Sequence, residues 1–319
     1  MDDPRVVIHS LSRRNLGPAK PVKALASYVA RDMHPQEAFR ATLSDCLAHI
    51  AANAATLRPK DSNERRSVEG LHQLRVAFRR LEVALGAFGR EFKQDWLEEL
   101  RGRAKILSGR LAPARDLDVF TGKLLADRTE IGGDAMTALR ARAENARDAA
   151  WDGVLACITS TDFELFTDDV AALAQSQIPL TRERRLGKTA RRMLERQVKR
   201  VNKRGKIARS REEADLHRLR IALKKLRYTA EFFAPLYPRK DVKKYLKKLR
   251  GLQNQLGDLN DIANVRGVVG SLMRDDASEP AACFAAGAVT GWYGARTPRV
   301  IKQAVKRYRK FRRVAPFWH

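Results

Sequence analysis

Two stretches of the chain carry histidine and basic residues at the same spacing. Leu71-His72-Gln73-Leu74-Arg75-Val76-Ala77-Phe78-Arg79-Arg80-Leu81 is matched, 145 residues later, by Leu216-His217-Arg218-Leu219-Arg220-Ile221-Ala222-Leu223-Lys224-Lys225-Leu226. On a helix, residues three, four and seven positions apart share a face. His72, Arg75 and Arg79 therefore form one stripe with Arg80 at its side, and Leu74, Ala77, Phe78, Leu81 and Leu85 take the opposite face. His217, Arg220, Lys224 and Lys225 repeat the stripe, and Arg227 joins it. Lys105 and Arg250 match at the same offset. Such stripes offer anion binding. Lys224 stands where the first copy has Arg79, and Lys225 where it has Arg80, so charge persists while identity changes. Freedom between Arg and Lys suits phosphate oxygens better than a fixed bidentate carboxylate. An imidazole titrating near about 6.5 adds charge as pH falls, which predicts binding that tightens from about pH 8 to 6.

The stripes need helices to hold them. Leu111-Ala112-Pro113-Ala114-Arg115-Asp116-Leu117 and Leu256-Gly257-Asp258-Leu259-Asn260-Asp261-Ile262 form a second pair of blocks at the same offset. Two blocks with one offset indicate duplication of a unit of several helices. Strand-period alternation is almost absent, and helical spacing fills nearly every window after residue 35. The spacing predicts helices over 36–56, 67–90, 94–111, 116–126, 136–158 and 163–175. A second series follows over 183–204, 211–236, 241–256, 261–273 and 280–313. The domains expected are a basic, loosely ordered arm over 1–34 and one helical domain over 35–319, with repeats at about 35–176 and 180–314. Asp116 and Asp261 are expected to cap helices, with Asp118 in a first turn. These carboxylates are also placed to orient basic side chains of neighbouring helices.

Charge narrows the function. The 319 residues hold 63 Lys and Arg against 37 Asp and Glu, a net +26, with 44% hydrophobic residues. The segment from 182 to 250 alone has 26 Lys and Arg against 7 Asp and Glu. A polyanion relieves such self-repulsion. Taken alone, the basic run 196–211 and the run Lys306-Arg307-Tyr308-Arg309-Lys310-Phe311-Arg312-Arg313 read as solvated faces, the second adding unspecific attraction. Cys46, Cys157 and Cys283 are scattered, fitting a reducing cytosol rather than disulfides or a zinc site. No secretory leader or membrane-spanning run is read, so the expected location is cytoplasmic. No cofactor is expected. His72 and His217 lack partners for a metal, and Glu69 before His72 is replaced by Ala214 in the second copy. His9, His34, His49 and His319 have no repeat mates. No P-loop, nucleophile elbow or zincin motif occurs, so no enzyme is expected. Nucleic acid is the alternative ligand, on charge, although no aromatic residue interrupts 182–227 for base stacking. An anionic membrane is the third, with Phe311, Phe317 and Trp318 as its apolar candidates.

The blocks His72 to Leu81, Ala114-Arg115-Asp116-Leu117-Asp118-Val119 and Leu256 to Asp261, with the second copy of the first, resemble the CHAD domain, the conserved histidine α-helical domain. The resemblance covers about 35–314. It implies an all-α fold: a pair of helical bundles related by pseudo-twofold symmetry around a basic central channel. It implies non-enzymatic binding of inorganic polyphosphate and, for some members, a place at polyphosphate granules. The family histidines fall on His72 and His217, and the channel cations on Arg75, Arg79, Arg80, Arg220, Lys224 and Lys225. Ala112-Pro113 departs from the usual Leu-Gly turn of the first copy. The triphosphate tunnel domain fused to some relatives has no counterpart, so no hydrolase activity is carried over.

Overall fold

The computed structural model describes residues 20–25, 27–58, 66–92, 95–126, 133–177, 185–274 and 279–319, leaving aside the side chain of residue 209. Most of the expected N-terminal arm lies outside the described residues. Among those described, ten α-helices and no strands occur: α1 (Pro35–Ala55), α2 (Val68–Phe92), α3 (Asp95–Arg110), α4 (Ala112–Val119), α5 (Asp134–Ile158), α6 (Thr161–Gln175), α7 (Leu186–Ile207), α8 (Glu213–Phe232), α9 (Arg239–Leu272) and α10 (Pro280–Phe311). A π-helical turn, Phe120–Leu124, continues α4. Local chemistry sets the starts. Pro35 opens α1, where its missing N–H needs no partner, and the Glu37 carboxylate accepts the His34 backbone N–H at 2.7 Å.

Two compact units form. The first comprises Met1–Arg115 and Asp152–Gly187. In it α2 packs between α1 and α3, and α6 closes against α1 and α3. Phe39 lies against Phe88 and Phe92, and Phe78 against Phe163 and Phe166. The second comprises Asp116–Trp151 and Lys188–His319. Here α9 packs against α8 and α10. Phe120, Leu124, Met136 and Leu139 share one core with Ile262, Val265, Ala285 and Val289. The sequence repeats and the compact units thus divide the chain differently. Phe120, Leu124, Met136 and Leu139, from the first sequence repeat, are buried among helices of the second.

At the second pair of matched blocks the helix boundaries differ from the sequence expectation, for one reason. Pro113 sits at the second position of α4, so α3 must stop at Arg110 and α4 starts at Ala112. The second copy has Asp258 at that position, and α9 runs unbroken through Leu256-Gly257. Asp116, Asp118 and Asp261 consequently lie inside helices and cap none of them. Asp118 is buried; its Oδ1 accepts from Arg147 Nε at 2.7 Å and Trp151 Nε1 at 3.1 Å. Asp261 Oδ2 accepts from Lys123 Nζ at 2.7 Å. Asp118 and Asp261 therefore do orient basic side chains, Arg147 and Lys123.

Two further expectations change. Phe311, Phe317 and Trp318 are buried against Tyr237 and Tyr245, and offer no apolar wedge to a membrane. The arm is held at Val22: Asn53 bonds both of its backbone groups at 3.0 Å, and His49 Nε2 meets its carbonyl at 2.9 Å.

Candidate functional site

In the first unit, α2 buries Leu71, Leu74, Ala77, Phe78 and Leu81 and turns His72, Arg75 and Arg79 away from that core. All three are half-buried. Arg75 Nη1 donates to the Leu111 carbonyl at 3.2 Å, at the break between α3 and α4. The break made by Pro113 thus positions this guanidinium. Arg79 has its Nε buried and has no hydrogen-bond or ion-pair partner among the described residues. Burial pushes His72 down from 6.5 to about 4; Arg115, Arg79 and Arg75 add to this, while Glu69 opposes it. The imidazole is therefore neutral throughout the pH 6–8 window in which the sequence predicted extra charge from it. Burial disfavours the charged ring, and the nearby guanidiniums disfavour it further.

Arg80 goes elsewhere. It is 4% exposed and its Nη2 donates to the Leu25 carbonyl at 3.4 Å. Its charge is felt by Asp45, Cys46 and His49. It ties α2 to α1 and the docked arm, and does not present its guanidinium to solvent. Lys105 is exposed on α3, and no hydrogen bond or ion pair joins it to the His72 stripe among the described residues.

In the second unit, α8 buries Leu216, Leu219, Leu223 and Leu226. His217 is exposed, whereas Arg220, Lys224 and Lys225 are half-buried. Desolvation lowers the His217 pKa, Arg220 and Lys224 lower it further, and a hydrogen bond from His217 to Asn260 works against them. Arg227 departs from the stripe: its Nε lies 3.6 Å from Glu231 Oε1 and its guanidinium packs on Tyr228. Arg250 is exposed on α9.

Sequence reasoning missed one member. Arg115 and Asn260 occupy equivalent positions at the 145-residue offset, and each faces the histidine of its own copy. The signal was present, because both lie in the second pair of matched blocks. Among the described residues no group of three or more His, Cys, Asp or Glu could hold a metal ion. No helix among them is long and apolar enough to cross a membrane.

What the two stripes can do chemically is accept anionic oxygens. Arg79 offers donors with no acceptor of their own, beside other half-buried cations. Charge-assisted bonds to such donors are the stronger kind.

Comparison with known proteins agrees with this architecture. The CHAD domain family matches over residues 41–269. The crystal structure of the CHAD domain from the plant Ricinus communis superposes with a TM-score of 0.81 at 27% identity, covering 93% of this chain and 98% of that one. PptA from Streptomyces chartreusis shares the fold, with a TM-score of 0.66 at 19% identity over 88% of this chain and 99% of its own. No curated protein matches the sequence. With a family match over most of its length and a helical structure of the same kind, the chain belongs to the CHAD domain family.

Proposed function

We propose that the protein binds inorganic polyphosphate without chemical turnover, through the basic faces of α2 and α8. The observation that carries this is Arg79, a half-buried guanidinium with no acid or carbonyl to bind among the described residues. A buried, unsatisfied cation is unfavourable in the empty protein and is relieved by a phosphate oxygen. His72 supports the reading: burial is the main cause of its lowered pKa, and Arg115, Arg79 and Arg75 lower it further against the opposing Glu69. The ligand set is His72, Arg75, Arg79 and Arg115 on one side, and His217, Arg220, Lys224 and Lys225 on the other. Lys105 and Arg250 are outer contacts. Arg80 and Arg227 hold their neighbours instead.

Duplication is part of the proposal. The segments 116–151 and 261–296 are equivalent at the offset of 145, and residues of both share one core. Asp116 meets Asn264 and Asp261 meets Lys123, so each equivalent aspartate reaches the other segment. The finer reading is a pseudo-twofold pair of bundles whose basic faces line one channel, in a cytoplasmic protein able to join polyphosphate granules. Competition binding tests the ligand: polyphosphate, DNA and RNA at matched phosphate concentration and salt. Polyphosphate displacing both nucleic acids supports the proposal. DNA or RNA displacing polyphosphate gives the site to nucleic acid.

A further inference from the structure

The C-terminal basic run reads from sequence as a solvated tail. The structure gives it a partner. Residues to Phe311 belong to α10, which lies antiparallel on the first half of α9. Two contacts fix the alignment: Tyr245 packs on Phe311 at 5.4 Å between ring centroids, and Arg307 Nη1 donates to the Gly251 carbonyl at 3.0 Å. Lys247 and Lys248 precede Gly251 by one turn, and Lys243 and Lys244 by two. Lys306 adjoins Arg307, and Lys310 follows it by one turn. With a rise of about 5.4 Å per turn, two basic runs far apart in sequence form one surface.

All six lysines are exposed, and none has an ion-pair or hydrogen-bond partner among the described residues. This differs from the α2 and α8 stripes, whose cations Arg75, Arg79, Arg220, Lys224 and Lys225 are half-buried. Exposed lysines are mobile, hydrated point charges. They hold a flexible polyanion loosely, without fixed geometry. The aromatic residues nearby are buried in the seam, so the surface has no platform for stacked bases and no wedge for lipid.

We propose that this α9–α10 surface is a second docking site, which takes the tail of a long polyphosphate chain whose other part occupies the basic helix faces. The inference rests on the polyphosphate reading above and adds a preference for chain length. A chain anchored at one site presents its remaining phosphates to the second at high local concentration. A chain too short to reach gains nothing from these lysines.

The test uses the full chain carrying Lys244→Gln, Lys248→Gln, Lys306→Gln and Lys310→Gln, with polyphosphate of about ten and of several hundred phosphates as probes. Affinity for the long chain should fall about tenfold or more. Its log–log salt slope should shrink by about 3, since each phosphate no longer neutralised by a lysine removes roughly 0.7. Affinity for the short chain should stay within about twofold. Equal losses for both lengths, or no loss for the long chain, overturn the inference while leaving the helix faces as the binding site. A larger loss for duplex DNA than for long polyphosphate also overturns it and assigns the surface to nucleic acid. Failure of the unaltered protein to bind the short chain strikes the polyphosphate reading itself, and this inference with it.

Discussion

Arg115→Asn converts the surroundings of His72 to those of His217, where Asn260 stands at the equivalent position. In the parent protein His72 is pushed down to about 4, by burial first and by the Arg115 charge second. Removing one cation beside a half-exposed ring raises its midpoint by about 1. A histidine moved from 6.5 to about 4 would carry about 3 kcal/mol if fully shielded; with solvent screening the contribution is about 1–2 kcal/mol. Its sign follows from proton binding. Between pH 6.5 and about 4 the unfolded chain holds the proton and the folded chain does not, so falling pH in this window favours unfolding. The assay is a histidine-resolved NMR titration, with His72→Gln assigning the resonance, beside urea denaturation at pH 7 and pH 4.5. The parent should lose about 1–2 kcal/mol more than His72→Gln between those two pH values, and Arg115→Asn should show an intermediate loss. A His72 midpoint near 6.5 in the parent, or one unmoved by Arg115→Asn, refutes the electrostatic account of the stripe.

Arg79→Ala and Arg80→Ala should separate binding from folding. Arg79→Ala should weaken polyphosphate binding with little change in stability. Arg80→Ala should lower stability by about 2–3 kcal/mol and speed hydrogen exchange at Val22 and Leu25, because Arg80 holds the docked arm. Asp118→Ala strips Arg147 and Trp151 of a buried shared acceptor, and should cost about 3 kcal/mol in denaturation of the second unit. Gly205 on α7 faces the Tyr308 ring so closely that a Cβ would overlap it. Gly205→Ala should therefore destabilise by about 1–3 kcal/mol, read as a lower denaturation midpoint, and Tyr308→Leu should restore part of the loss. Raising salt should weaken binding steeply through counterion release, which titrations at several ionic strengths will show.

Periodicity was enough to read most of the architecture, because α2, α8 and α10 each bury a continuous apolar face. It failed where continuity depends on one residue. Pro113 breaks the first copy and Asp258 lets α9 continue, although the flanking Leu patterns are alike. The His72 and His217 stripes were legible because the repeat kept charge at matched positions. Arg80 was misplaced because its partner, the Leu25 carbonyl, is a backbone atom 55 residues away that no side-chain pattern announces. Arg115 was missed because it acts on His72 through its charge, from beyond the break at Pro113 and off the helix that carries the stripe. The neutral state of His72 was likewise hidden, since it depends on burial combined with three cations that periodicity places only approximately.

The most direct test of the central claim is charge reversal with a short polyphosphate probe of about ten phosphates. Arg79→Glu, Lys224→Glu and a control, Lys199→Glu at an exposed position of α7, should be compared by fluorescence anisotropy at one pH and salt concentration. The account predicts that Arg79→Glu and Lys224→Glu each weaken binding by about tenfold or more, while Lys199→Glu changes it by less than about threefold, with helix content preserved in all three. Equal losses in the three variants would contradict it, and would reduce binding to diffuse attraction by a basic surface.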